Sequence, residues 1–245
     1  MKDGIQMSKT SALNFANSHP AGFCKVPAGI ERRVPLAASA NYTAPKKIDF
    51  TGFCSRTEDQ GAKPWCAAYS CAQWAESILW QRDRVINQID PAPIYAGAKK
   101  IDGDPNGDGT TLDAVLKVLA GRMPAKFPSL TCKVKFVGGS VFGGPDLNAI
   151  MYAIHAYGRI LGGFNITSEW YDLIRGKDAV KGVSGASTQG GHAVLICGYD
   201  SDGVYIQNSW GEDWGQSGFA LVTWFAVKQQ FMYGSVLTHA LDGLS

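Results

Sequence analysis

From Trp65 to Arg84 the chain reads WCAAYSCAQWAESILWQRDR, free of Gly and Pro, with Ala67, Cys71, Trp74 and Ile78 at alternating four- and three-residue intervals. That period is the stripe of an α-helix. Its first two turns are mostly small residues (Ala67, Ala68, Ser70, Cys71, Ala72), which lets other backbone approach closely and suits a helix at the centre of a domain. A second helix is expected over Thr111–Ala120, where Leu112, Val115, Leu116 and Leu119 share one side after the turn- and cap-forming Gly107-Asp108-Gly109-Thr110. A third is expected over Pro145–Tyr157. The pattern then changes: His192–Tyr199 and Val204–Asn208 are apolar, β-rich runs joined by Asp200-Ser201-Asp202-Gly203, which reads as a hairpin with Gly203 in a left-handed position. Ser217–Trp224 and Phe231–Thr238 read as further strands. Helices first and strands second describe an α+β architecture with a natural cleft between the halves.

Residues 1–47 lack a regular apolar period and carry Pro20, Pro27, Pro35 and Pro45, the signature of an extended, surface-running segment or arm. The whole chain, 245 residues with 45% hydrophobic and 18% charged, is long and apolar enough to bury a substantial core. Its 23 Lys and Arg against 21 Asp and Glu leave +2, so no strong field favours nucleic acid or an anionic membrane. No run reaches the roughly 18 to 20 apolar residues of a membrane span, and the N-terminal stretch is polar where a secretory signal carries its apolar region. Location stays open between cytoplasmic and exported or packaged by a non-standard route. The six cysteines (24, 54, 66, 71, 132 and 197) are too scattered for a disulfide scaffold and lack zinc-site spacing. Asp102, Asp104 and Asn106 begin like a calcium loop, but the twelfth position is Asp113, not Glu. Neither metal nor cofactor is expected.

The remaining pattern suggests thiol chemistry. Cys66 sits where the first helix begins, so unpaired amides and the helix dipole are expected to lower its pKa; Cys71, five residues on, fits a small buried hydrophobe better. A catalytic thiol needs a base, a group to orient that base, and donors for an oxyanion. His192, preceded by Gly190-Gly191, has room to face a cleft. Asn208 ends the paired strand, and an odd-length turn through Gly203 puts it on the same sheet face as His192, where its amide oxygen can accept from the imidazole. Trp210 can shield that hydrogen bond from water. Gln60, six residues before Cys66, can aim its amide at an oxygen beside the Cys66 backbone N–H.

Three segments carry a resemblance: Gln60-Gly-Ala-Lys-Pro-Trp-Cys66-Ala-Ala-Tyr-Ser, Gly190-Gly-His192-Ala-Val-Leu-Ile-Cys-Gly-Tyr199, and Asn208-Ser-Trp210-Gly-Glu-Asp-Trp214-Gly-Gln-Ser-Gly218. In these the chain resembles the papain-like cysteine peptidases, the group including papain and the lysosomal cathepsins, and more closely their simpler bacterial and phage-type relatives. The family's Gln-to-Cys interval of six and His-to-Asn interval of sixteen are kept, with 126 residues from Cys66 to His192. The resemblance covers residues 45–240. It implies a two-domain α+β fold: a helical left domain (about 55–130) bearing Cys66 and an antiparallel, β-barrel-like right domain (about 131–240) bearing His192 and Asn208. The cleft lies between them. Residues 45–245 would form the peptidase domain and residues 1–44 an N-terminal extension or short pro-segment whose arm contacts its own cleft or a partner protein.

By the same resemblance Gly109 and Thr110 lie on the cleft wall where an extended peptide pairs with backbone, Gly191 and Ala193 border the second specificity pocket, and Trp214 sits on the leaving-group side. The implied activity is that of a cysteine endopeptidase acting on polypeptides through Cys66, His192 and Asn208, with Gln60 at the oxyanion. A deamidase or acyltransferase using the same residues, or an inactive papain-fold binding or structural module, are the alternatives. Where the family has Cys-Gly-Ser-Cys-Trp, this chain has Lys63-Pro64-Trp65-Cys66-Ala67. The Trp precedes the nucleophile and Lys63 replaces a disulfide-forming Cys, so the secreted members' disulfide pattern does not carry over.

Overall fold

The computed structural model describes residues 9–84, 88–126, 133–140, 143–174 and 179–238. In chain order the elements are α1 (Lys9–Ser18), β1 (Cys24–Lys25), β2 (Ile48–Asp49), α2 (Cys66–Asp83), α3 (Ala92–Lys99), β3 (Thr110–Thr111), α4 (Leu112–Lys126), β4 (Lys133–Val137), α5 (Leu147–Tyr157), β5 (Ile160–Thr167), β6 (Ala179–Val180), β7 (Thr188–Tyr199), β8 (Gly203–Gln207), β9 (Phe219–Thr223), α6 (Trp224–Gln230) and β10 (Phe231–Thr238). A 3-10 segment at Ser168–Leu173 follows β5.

Helix limits follow local chemistry. α2 stops where Arg84 turns left-handed (φ 56°) and its N–H reaches Trp80 O. α5 starts at Asp146, whose carboxylate accepts from the amides of Asn148 (2.9 Å) and Ala149 (3.2 Å), satisfying two of the free donors at a helix start. Two strand expectations are corrected. The run from Ser217 to Trp224 yields a strand only over Phe219–Thr223, because the Thr223 hydroxyl caps α6 by accepting from Ala226 N (3.2 Å). Gly203 is not left-handed. It is required because a β-carbon there would lie 2.2 Å from Val222 O on the neighbouring strand.

The main sheet runs β4-β10-β5-β7-β8-β9-β6, with β2 also paired to β7. Every pair in it is antiparallel except β6 with β9. Successive residues on its strands serve opposite faces: Leu161, Ala193 and Leu195 join a core with α2, α3 and α4, whereas Ile160, Val194 and Ile196 join a second core with α5, α6 and the 3-10 segment. β7 is therefore apolar on both sides, which is why its sequence reads as an unbroken hydrophobic run. Among the described residues no helix is long and apolar enough to cross a membrane.

The N-terminal arm runs along the surface from residue 31 to 47 as expected, with no buried residue there. Before that it forms α1 and β1, and His19, Cys24 and Ile30 are buried. β1 pairs in parallel with β3, Cys24 against Thr110 and Lys25 against Thr111.

Candidate active site

Cys66 opens α2, His192 lies in β7 and Asn208 follows β8; all three are fully buried. The β7–β8 register pairs Leu195 with Gln207, so Asn208 falls opposite Val194, two residues from His192 on the same face. His192 Nε2 and Asn208 Oδ1 are 2.7 Å apart. Asn208 Oδ1 also accepts from Ser209 N (2.8 Å), which identifies that atom as the amide oxygen. Nε2 must therefore donate, and the neutral ring carries its lone pair on Nδ1. Nδ1 is buried without a hydrogen-bond partner.

The loop before α2 is laced to the loop after β8. Gln60 N donates to Ser209 O (2.9 Å) and Gly211 N to Glu58 O (3.0 Å). From α2, Gln73 Nε2 donates to Asn208 O (3.1 Å). Gln60 is held at both ends: its Oε1 accepts from Ser209 Oγ (2.6 Å) and its Nε2 donates to Lys63 O (2.9 Å), leaving the second N–H of that amide available. Ser209 was not singled out from sequence, since a serine beside a polar strand end has no distinguishing pattern. It nevertheless connects Asn208 to Gln60.

The electrostatics reverse one expectation. Burial pushes the Cys66 thiol up to about 12, against the opposing pull of the Ala193, Ala67 and Cys66 backbone amides. The helix start does favour a thiolate, but removal from water outweighs it. Burial likewise brings His192 down to about 4, opposed by the Asn208 hydrogen bond and assisted slightly by His19. Both groups are neutral in this closed arrangement. The Trp210 ring covers the imidazole at 4.4 Å between centroids and is itself buried. Trp214 is fully buried, donates from Nε1 to Trp170 O (2.7 Å) and stacks on Trp170.

Residues expected on the cleft wall are engaged by the chain's own arm. Gly22 N and Phe23 N both donate to Gly191 O (2.9 and 3.0 Å), and Thr110 N donates to Phe23 O (3.0 Å). A β-carbon at Gly191 would lie 2.3 Å from Cys24 O, so only glycine permits this approach. Gly109 adjoins the same strand, and Ala193 presents its amide to the Cys66 thiol. Further along, Tyr233 Oη donates to Lys25 O (2.8 Å), Lys25 pairs with Asp104, and His19 Nε2 meets Asp59 Oδ1 at 2.8 Å while its ring stacks on Phe15. A cavity of about 1100 Å³ opens beyond Trp210 between Glu58, Asp90 and Glu212. Cys66 and His192 are not among its walls; Cys24 of the arm packs in the same core as Cys66.

Residues 134–231 match the papain family of cysteine proteases, a stretch that contains His192 and Asn208. Over that stretch the chain is similar to the papain family. The chain is 34% identical over 127 residues to Cathepsin B-like CP3 of Giardia intestinalis, a match covering 45% of the chain and 40% of that protein. It thus spans less than half the length of the curated relative. Among solved structures, xylellain, a cysteine protease from Xylella fastidiosa, superposes with a TM-score of 0.71 at 19% identity, covering 90% of this chain and 96% of xylellain. Procathepsin L 3 of the Tenebrio molitor larval midgut gives 0.66 at 16% identity, covering 93% and 79% respectively. At such identities the likeness establishes the fold, an α+β papain-like architecture.

Proposed function

We propose that this chain is a cysteine endopeptidase held in a latent form by its own N-terminal arm. The observation that carries the reading is the fixed His192 tautomer: Asn208 and Ser209 together set Nε2 as donor and turn a bare Nδ1 to the interior. A base so oriented is what a neighbouring thiol requires. With the arm displaced, Nδ1 takes the proton of Cys66, and the thiolate attacks a peptide carbonyl carbon. The developing oxyanion is met by the Cys66 backbone N–H and the free N–H of Gln60 Nε2. His192 returns its proton to the leaving amine, then removes one from water, and the hydroxide breaks the thioester and frees Cys66. Asn208 orients the ring and does not ionise. The substrate strand takes the backbone groups of Thr110 and Gly191 that the arm now engages, with Gly109 and Ala193 next to them in the chain.

Gln60→Ala is expected to lower kcat by about 10²–10³, equivalent to about 2.7–4 kcal/mol of transition-state stabilisation, with little change in KM; the initial rates of Gln60→Ala and wild-type chains on one peptide check it. Chemistry is tested by product mass after incubation with a reduced, unfolded protein. Hydrolysis yields fragments with new amino termini, in amounts that fall when iodoacetamide is added first. Substrate recovered whole and deamidated, or joined to an added amine, would replace the peptidase reading with transfer or deamidation, and substrate recovered unchanged by the arm-free chain would leave a binding module.

A further inference from the structure

We propose that Cys54 and Cys197, set against the buried guanidinium of Arg159, form a second reactive thiol centre that takes a low-molecular-weight disulfide at Cys54 and closes to a Cys54–Cys197 disulfide. The site is remote from Cys66 in sequence and plays no part in the proposed peptidase chemistry.

Phe50 brings the two thiols together. Its N–H donates to Cys197 O (2.8 Å) as the chain leaves β2, and one 3-10 turn later the Cys54 thiol points back to Phe50 O (3.5 Å). The Cys197 thiol in turn donates to Tyr205 O (3.4 Å); the two thiols are near enough to shift each other's titration, and neither is in a disulfide. Cys54 is partly accessible, whereas Cys197 is fully buried.

Arg159 supplies the second observation. It is wholly buried between α5 and β5. Nη1 donates to the neutral Gln81 Oε1 (2.9 Å), and the guanidinium lies 4.7 Å from the Phe50 ring centroid. Nε and Nη2 meet no hydrogen-bond acceptor of ordinary geometry, and this open side faces Cys54. A buried cation needs a counter-charge. The carboxylate that acts on the pair, Asp49, is already engaged by Lys47 (3.2 Å) and by the Thr51 hydroxyl (2.6 Å) and amide (3.0 Å). The group beside Arg159 that can become an anion is the Cys54 thiol. In keeping with this, Cys54 is shifted below the ordinary thiol range, first by the neighbouring Cys197 thiol and then, against burial, by Arg159, with Asp49 opposing; Cys197 is shifted well above it by burial. Cys54 is thus the attacking sulfur and Cys197 the resolving one.

The exchange balances as follows. The Cys54 thiolate attacks one sulfur of a disulfide such as oxidised glutathione and expels one thiolate. Cys197 then loses its proton to solvent and attacks the Cys54 sulfur, expelling the second thiolate. Two protein thiols are oxidised to one disulfide and the small disulfide is reduced to two thiols. Closing the bond removes the counter-charge of Arg159, so the bridge should be readily reduced.

The test uses the full chain equilibrated with increasing ratios of oxidised to reduced glutathione, quenched in acid, alkylated and mapped by peptide mass. The expected result is a peptide pair joined through Cys54 and Cys197, absent from Cys54→Ser, with Cys197→Ser instead accumulating glutathione on Cys54. Separately, iodoacetamide should label native Cys54 with a pH midpoint below that of the same cysteine in the urea-unfolded chain, and Arg159→Met should raise that midpoint. Should Arg159→Met fail to fold, the native-against-unfolded comparison decides alone. A midpoint at or above the unfolded value, or no joined pair at fully oxidising ratios, overturns the proposal.

Discussion

Cys66→Ala is expected to reduce peptide hydrolysis by the arm-free chain to background, a loss on the order of 10⁵-fold or more. The side chain is fully buried at the first residue of α2, and alanine matches the small-residue surface around it, so the variant should keep its fold and its circular dichroism. His192→Ala should fall nearly as far, and the double variant scarcely further, because nucleophile and base act as one unit. Equal turnover by Cys66→Ala and wild type, measured on one purified peptide under reducing conditions, would falsify the proposed mechanism.

Release of the arm is expected to have the next largest effect. Residues 22–25 lie across the backbone groups of Gly191 and Thr110, and burial is the first cause of both the raised Cys66 and the lowered His192 titration. Water admitted to the groove moves the two pKa values toward one another, which favours the thiolate–imidazolium pair. Removal of residues 1–25 should therefore speed iodoacetamide labelling of Cys66 at neutral pH by about 10²-fold, as expected if the closed form holds about 99% of the population.

Acid should act in the same direction. The closed form holds His192 near 4, whereas a solvated imidazole titrates near 6.5. Between those values the open or unfolded chain binds more protons, so this histidine's contribution to the closed form is fully present above about pH 6.5 and declines as pH falls toward 4, by about 3 kcal/mol in all. Labelling of Cys66 measured on jumping from pH 7 to pH 5 and back checks the sign: faster arm opening in acid is expected. A full-length chain that labels as fast as the truncated one at pH 7 would remove the arm from control of the thiol.

Much of this architecture was legible from periodicity, because helices and strands each declare their buried face by spacing alone. The Gly- and Pro-free run from Trp65 to Arg84 marked α2 to within a residue at each end. The shared face of His192 and Asn208 was expected from an odd-length turn through Gly203, but Tyr199 pairs with Val204 across a turn of even length, and it is the register shift between Ile196 and Gly198 that sets Asn208 opposite Val194, where its side chain meets His192 at 2.7 Å. Gly203 was assigned the wrong reason for being glycine, since crowding by Val222 O, a contact between strands, is invisible in a hairpin's local sequence. Trp214 was placed by likeness of motif, and its burial against Trp170 depends on a residue forty-four positions earlier.

Local spacing thus encoded α2, α4, α5 and the strands β7, β8 and β10 in their order, each of which depends on neighbours a few residues apart, whereas the bulge that sets imidazole and amide on one face was decided by strand pairing. Folding alone determined the charge state of Cys66, because desolvation is a property of everything packed around the sulfur and reverses what the helix start by itself would do. It also determined where the arm lies. Gly22 reaches Gly191, and Cys24 pairs with Thr110, through backbone hydrogen bonds that impose no hydrophobic period on the arm, so its sequence carried no periodic pattern by which to read its destination. The meeting of Cys54, Cys197 and Arg159 is of the same kind: each residue is unremarkable in its own segment, and their chemistry arises from burial in common.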